Sequence, residues 1–120
     1  MSKYAFLINS SLDDPASLTN ALEYARKLDD ADHEAVVFFD GRATQWIPEL
    51  ESNADRIPYD AYTEVRERGL VGGACGFCAS FLEADRAIEK TEITLDGGSA
   101  EHGPDVGQLA DQGYQLLTVG

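Results

Sequence analysis

Short unbroken apolar runs alternate along this chain with segments in which apolar residues recur every third or fourth position. Lys3 to Ile8 is a near-continuous apolar run of strand length, which predicts a strand covered on both faces, as in a parallel sheet. Asn9-Ser10-Ser11-Leu12-Asp13-Asp14 carries turn and cap residues, and Pro15 suits the first position of a helix. Leu18, Ala21, Leu22, Ala25 and Leu28 then fall at helical spacing with Asn20, Glu23, Arg26 and Lys27 between them, predicting an amphipathic helix with one buried stripe. Glu34 to Phe39 reads as a second buried strand, closed by the turn pair Asp40-Gly41. Strand, helix, strand in this order implies a right-handed crossover.

Ala43, Trp46, Ile47 and Leu50 repeat the helical spacing, but Pro48 interrupts it, so a short or broken helix is expected. Ser52 to Pro58 reads as a loop. Tyr59, Tyr62 and Val65 predict a further helix ending at Gly69, and Leu70 to Ala74 a third strand. Gly72 and Gly73 weaken that strand, which is understandable if a backbone or ligand approaches closely there. Beyond it, Ala79, Phe81 and Leu82 give a helical face to about Arg86. Glu92 to Leu95 reads as a short strand before the turn Asp96-Gly97-Gly98-Ser99. Gly103-Pro104 opens a helix with Val106, Leu109 and Ala110 as its inner face and Gly113 at its end, and Tyr114 to Val119 is the final strand. The pattern predicts one domain over residues 1–120, a three-layer α/β sandwich around a mainly parallel sheet of four or five strands.

Charge narrows the choice of partners. With 22 acidic against 9 basic side chains the formal net charge is −13, and nothing here replaces phosphate counterions over a surface, so nucleic acid is not an expected ligand. The acidic residues are spread along the chain, densest at Asp29-Asp30-Ala31-Asp32, and the pattern resembles proteins of salt-accumulating haloarchaea. No apolar run approaches the roughly 20 residues of a spanning helix, so no membrane partner is expected. The apolar segment at the start is too short for a secretory signal, which implies a cytoplasmic location.

Both cysteines fall in one stretch, Leu70-Val71-Gly72-Gly73-Ala74-Cys75-Gly76-Phe77-Cys78-Ala79-Ser80-Phe81, where a strand feeds into a helix. Unpaired N–H groups and the positive end of the helix dipole favour thiolate there, and the thiolate is the reactive and metal-binding form. Gly76 lets the backbone turn tightly, and Phe77 either walls the site or joins the core. No Arg, Lys or His immediately flanks the motif, so any charge partner has to come from elsewhere in the fold or from another subunit. The motif itself leaves open two inert buried cysteines, a thiol-disulfide exchanger using Cys75 and Cys78, and a zinc site. Zinc would need two more ligands, and the histidines, His33 and His102, show no ligand-like spacing, so neither a metal nor another cofactor is expected. Asn9, Ser10 and Ser11 are candidates to line a polar pocket at the same end of the sheet, with helix capping as their ordinary alternative.

A strand ending in Ala74-Cys75-Gly76-Phe77-Cys78, followed at the end of the chain by Gly113-Tyr114-Gln115-Leu116-Leu117-Thr118-Val119, resembles the DsrE/DsrF-like family, which includes the TusD and YchN types. The resemblance extends over essentially the whole chain. It implies a flavodoxin-like or Rossmann-like fold, assembly into trimers or hexamers, and transfer of sulfur as a cysteine persulfide between donor and acceptor proteins. It further implies that Cys75, directly after the third strand, is the sulfur acceptor, and that Cys78 is the second cysteine found in some members. The expected function is that of a sulfur carrier or persulfide sulfurtransferase. The alternatives are a thiol-disulfide oxidoreductase and a non-catalytic oligomeric binding module of the same fold.

Overall fold

The computed structural model describes residues 1–120 as an α/β fold with a five-stranded, all-parallel sheet in the order β4-β3-β2-β1-β5, a flavodoxin-like arrangement. The strands are β1 (Lys3–Ile8), β2 (Glu34–Phe39), β3 (Val71–Cys75), β4 (Leu95–Asp96) and β5 (Tyr114–Val119). The helices are α1 (Pro15–Asp30), α2 (Trp46–Ser52), α3 (Tyr59–Glu67), α4 (Gly76–Phe81), α5 (Asp85–Glu89) and α6 (Val106–Asp111), with a 3-10 turn at Gly41–Gln45 before α2. No helix is long and apolar enough to cross a membrane.

Strands β1 to β4 are laid side by side in one direction, so crossovers of one hand place α1 to α5 on the same face. That face carries the main core. Phe6 and Ile8 of β1 and Ala35, Val37 and Phe39 of β2 pack on Leu18, Leu22, Trp46, Ile47, Tyr62 and Val65. The connection from β4 to β5 runs back to the far edge and puts α6 on the opposite face, where Leu109 covers Ala5, Leu7 and Phe38.

The first helix forms as its sequence requires. Asp14 caps it by accepting from Ser17 N–H at 3.2 Å, Pro15 stands at its first position, and Leu18, Ala21, Leu22 and Ala25 are buried. Pro48 is accommodated because it falls in the first turn of α2, where N–H groups lack intrahelical partners anyway. Trp46 is fully buried with its indole N–H donating to Ser11 O at 3.0 Å.

Three sequence expectations are corrected. The helical face after the cysteines is broken by Leu82-Glu83, with Glu83 at φ 60°, into the two short helices α4 and α5. Strand β4 comprises Leu95–Asp96 alone, paired with Ala74 and Cys75, so Asp96 belongs to the sheet and not to the following turn. The inner face of α6 does not hold either: Val106 and Ala110 are exposed and Leu109 alone reaches the sheet, because a helix of 6 residues is too short to lay a stripe along it. Gly73 meets the expected close approach of a backbone, Thr94 O, together with the Asp96 carboxylate, whereas Gly72 is crowded by side chains, the Phe38 ring and Val36; both lie at a register irregularity between β2 and β3.

Most of the arginines are spent on neighbouring carboxylates. Arg26 contacts Glu23 and Asp30, and Arg68 contacts Asp29, Asp30 and Glu64, tying the ends of α1 and α3 together. These pairs are partly exposed and individually weak, while the unpaired acidic surplus repels itself over the whole surface. The Debye length falls from about 10 Å at 0.1 M salt to about 3 Å at 1 M, which screens the surplus more than it costs the short pairs. The thermal midpoint followed by circular dichroism is therefore expected to climb as KCl is raised to molar levels, and a flat or falling midpoint would contradict this.

Candidate functional site

Three consecutive strands deliver their carboxyl ends to one place. Cys75 is both the last residue of β3 and the N-cap of α4, so the chain passes from strand to helix across a single residue. Its Sγ accepts from the Cys78 backbone N–H at 3.4 Å, as an oxygen does in an ordinary helix cap. That bond fixes the spacing of the two cysteines: Cys75 buried, Cys78 half-buried, both free thiols. Asp40 follows β2 directly, and its Oδ1 caps the 3-10 turn by accepting from Gly41 N–H at 2.8 Å. The same oxygen accepts from the Cys78 thiol at 3.6 Å.

The fourth group comes from the connection after β4. His102 Nδ1 lies 3.5 Å from Cys75 Sγ and 3.5 Å from Cys78 Sγ, bridging the two sulfurs. Its imidazole is exposed on the outer side and rests against the Phe77 ring, with centroids 4.6 Å apart. Phe77 in turn stacks on Phe81 at 6.5 Å. Phe77 is thus 38% exposed and serves as a wall for the imidazole, not as core. One potential ligand atom from each of Asp40, Cys75, Cys78 and His102 lies within 4.8 Å of the other three.

Burial pushes the Cys78 thiol up to about 12, helped by its hydrogen bond with Cys75 and by the negative charge of Asp40, while the Gly41 N–H acts in the opposite direction. The shift favours the protonated form of Cys78, while the Cys75 sulfur accepts from the Cys78 N–H.

Two further residues shape the floor. A Cβ on Gly76 would overlap Gly98 O and crowd Asp96 O, so glycine is what lets the 97–103 segment lie against the motif and bring His102 in. Asp96 Oδ2 is buried without a hydrogen-bond partner, and burial raises its carboxyl above the ordinary value. Beside it opens a cavity of about 280 Å³ whose lining includes Phe38, Asp96, His102, Pro104, Gln108 and Leu109.

Of the residues singled out in the sequence, Cys75, Gly76, Phe77 and Cys78 are brought together with His102, which arrives from the connection after β4. Asp40 and His102 are the residues sequence reading missed as members of the site. Asn9, Ser10 and Ser11 lie at the same end of the sheet and make no hydrogen bond to either sulfur. Ser10 is buried and bonds the Ser17 hydroxyl, Ser11 O receives the Trp46 indole, and the Asn9 side chain lies against Gly41. His33 stays in the turn between α1 and β2, where its Nδ1 accepts from Ser2 N–H at 3.0 Å.

Two outcomes test this construction. Gly76→Ala is expected to destabilise the fold by about 1–3 kcal/mol in guanidinium unfolding and to speed cysteine alkylation by displacing the His102 segment. Unchanged stability and alkylation would mean the close approach is dispensable. For Asp96 the sign follows from a folded pKa above the unfolded one: its contribution is fully present below the ordinary carboxylate range and is lost as pH rises through the raised value. Asp96→Asn should therefore gain stability relative to the parent on going from acid to neutral pH, and parallel profiles would show that the carboxyl is not perturbed.

Compared with known proteins, the chain matches no family model, no curated protein and no solved structure.

Proposed function

We propose that this protein is a sulfur carrier that holds a persulfide on Cys75, with Cys78 as resolving thiol and His102 as the group that exchanges protons with both. The observation that carries the reading is the pair of free thiols bridged by one imidazole nitrogen, 3.5 Å from each sulfur. The position of Cys75 at the end of the third strand of a parallel, flavodoxin-like sheet agrees with the DsrE-like resemblance.

In this scheme the Cys75 thiolate attacks the outer sulfur of a donor persulfide. A new S–S bond forms to Cys75, the donor's S–S bond breaks, and its electron pair leaves with the donor thiolate, so no net oxidation occurs. An acceptor thiolate then takes the outer sulfur by the same exchange. Alternatively Cys78, giving its proton to His102, attacks Cys75 Sγ and releases hydrosulfide, leaving a Cys75–Cys78 disulfide that an external dithiol must reduce. Since Cys75 is buried beneath the exposed His102 ring, the donor gains access when that side chain turns outward.

A dithiol exchanger is the second reading, favoured by the closeness of the two sulfurs, and intact mass separates the two. Chelator-treated, reduced protein in high salt is incubated with a persulfide donor. A reducible gain of about one sulfur, retained in Cys78→Ser and absent from Cys75→Ser, is the expected result. Loss of about two hydrogens requiring both cysteines, with no sulfur added, would replace the carrier with a redox dithiol. No change in mass in any form would refute both.

A further inference from the structure

The arrangement of donors invites a question that thiol transfer does not answer: why a carboxylate stands fourth in the cluster. The sulfur-transfer steps give Asp40 no part, whereas a cation site does. The geometry points to Asp40, Cys75, Cys78 and His102 as a four-ligand site for zinc or a similar thiophilic divalent cation.

Distance is the first support. Bonds of about 2.0–2.3 Å from a tetrahedral zinc to nitrogen, oxygen and sulfur put neighbouring donors about 3.3–3.8 Å apart. The edges measured here are 3.5 Å from Cys75 Sγ to His102 Nδ1, 3.5 Å from Cys78 Sγ to the same nitrogen, and 3.6 Å from Cys78 Sγ to Asp40 Oδ1. All four donors lie within 4.8 Å of one another, so they need only close around an ion by small side-chain movements.

Donor chemistry is the second. Two sulfurs, one imidazole nitrogen and one carboxylate oxygen suit zinc or cobalt and are too soft for magnesium or calcium. Support around the ligands is the third. The Asp40 carboxylate is oriented by Gly41 N–H, Cys75 Sγ by Cys78 N–H, and the His102 ring by Phe77, so three of the four ligands are already held by a neighbouring group. The ligands also come from three separate connections, after β2, after β3 and after β4, which a single ion would tie together.

Four protein ligands leave no open position, which makes this a closed site, one that holds both cysteines as metal thiolates. Binding releases the thiol protons to solvent and involves no redox change. Metal occupancy and sulfur loading are thus alternative states of the same residues, and the site exists whether or not the sulfur-carrier reading stands.

The test uses full-length, reduced protein stripped with a chelator, in high KCl and without any persulfide donor, so its result is independent of the sulfur assay. Titration with Co²⁺ is expected to give intense tetrahedral ligand-field bands and a thiolate-to-cobalt charge-transfer band saturating at about one ion per chain, both displaced by Zn²⁺. Cys78→Ser, His102→Gln and Asp40→Asn, each confirmed as folded by circular dichroism, should weaken Zn²⁺ binding by at least about 10–100-fold, the range lost when even an outer partner of a zinc site is removed. His33→Gln, outside the cluster, should leave it unchanged. A weak octahedral cobalt spectrum without charge transfer, or a Zn²⁺ affinity indifferent to the three ligand substitutions, would overturn the assignment.

Discussion

The bond from the Cys78 backbone N–H to Cys75 Sγ is the constraint on which the site's geometry rests. A strand that becomes a helix across one residue must satisfy the first amides of that helix without help from preceding turns. Here a sulfur does what a serine or aspartate oxygen does elsewhere, so the cap and the chemistry are the same atom. The fold gives Cys75 no freedom to point elsewhere while α4 is intact. Cys78, one helical turn on, is carried into the space between β2 and β3, where Asp40 already stands as the cap of the next element. Two capping interactions, each local and ordinary, thereby converge on one sulfur pair.

The flanking glycines follow from the same economy of space. Gly76 admits the Gly98 carbonyl, and Gly73 admits the Asp96 carboxylate, so the chain at the sheet edge is pressed against the motif in the space that side chains at these two positions would fill. This close packing is what leaves Asp96 Oδ2 enclosed without a donor. A buried acceptor of this kind costs stability, and the strand bearing it is two residues long, so the compactness of the site is obtained at the expense of the sheet edge that supports it.

Much of the scaffold was legible in the sequence because β1 and β2 are largely buried, and their continuous apolar runs, Lys3–Ile8 and Glu34–Phe39, mark them without ambiguity. The amphipathic stripe of α1 was equally plain. Legibility failed where elements are too short to carry a period: α4 and α5 merge into one apparent helix, and α6 shows the spacing of an inner face that only Leu109 reaches. The site was half legible for a different reason. Cys75 and Cys78 are local and announce themselves, whereas Asp40 is 38 positions from Cys78 and His102 is 24 positions beyond it. Asp40-Gly41 reads as a turn and is one; its second role arises only because β2 and β3 lie side by side. His102 sits among Gly, Ser and Glu residues that resemble any solvated loop, and only the close approach at Gly76 brings it to the sulfurs.

The core is distributed unevenly along the chain, and after Ile93 the only buried residue is Gly103. The cysteines and Asp40 thus follow strands packed on the main core, while the imidazole that closes over them belongs to a segment with a single buried residue. Segments with few buried apolar groups open at lower free energy than the core does. The two halves of the site accordingly sit on opposite sides of a boundary in local stability: amide exchange should be slow through β1 to β3 and faster across the His102 segment, and the sulfurs can be uncovered by a fluctuation that leaves the rest of the protein folded.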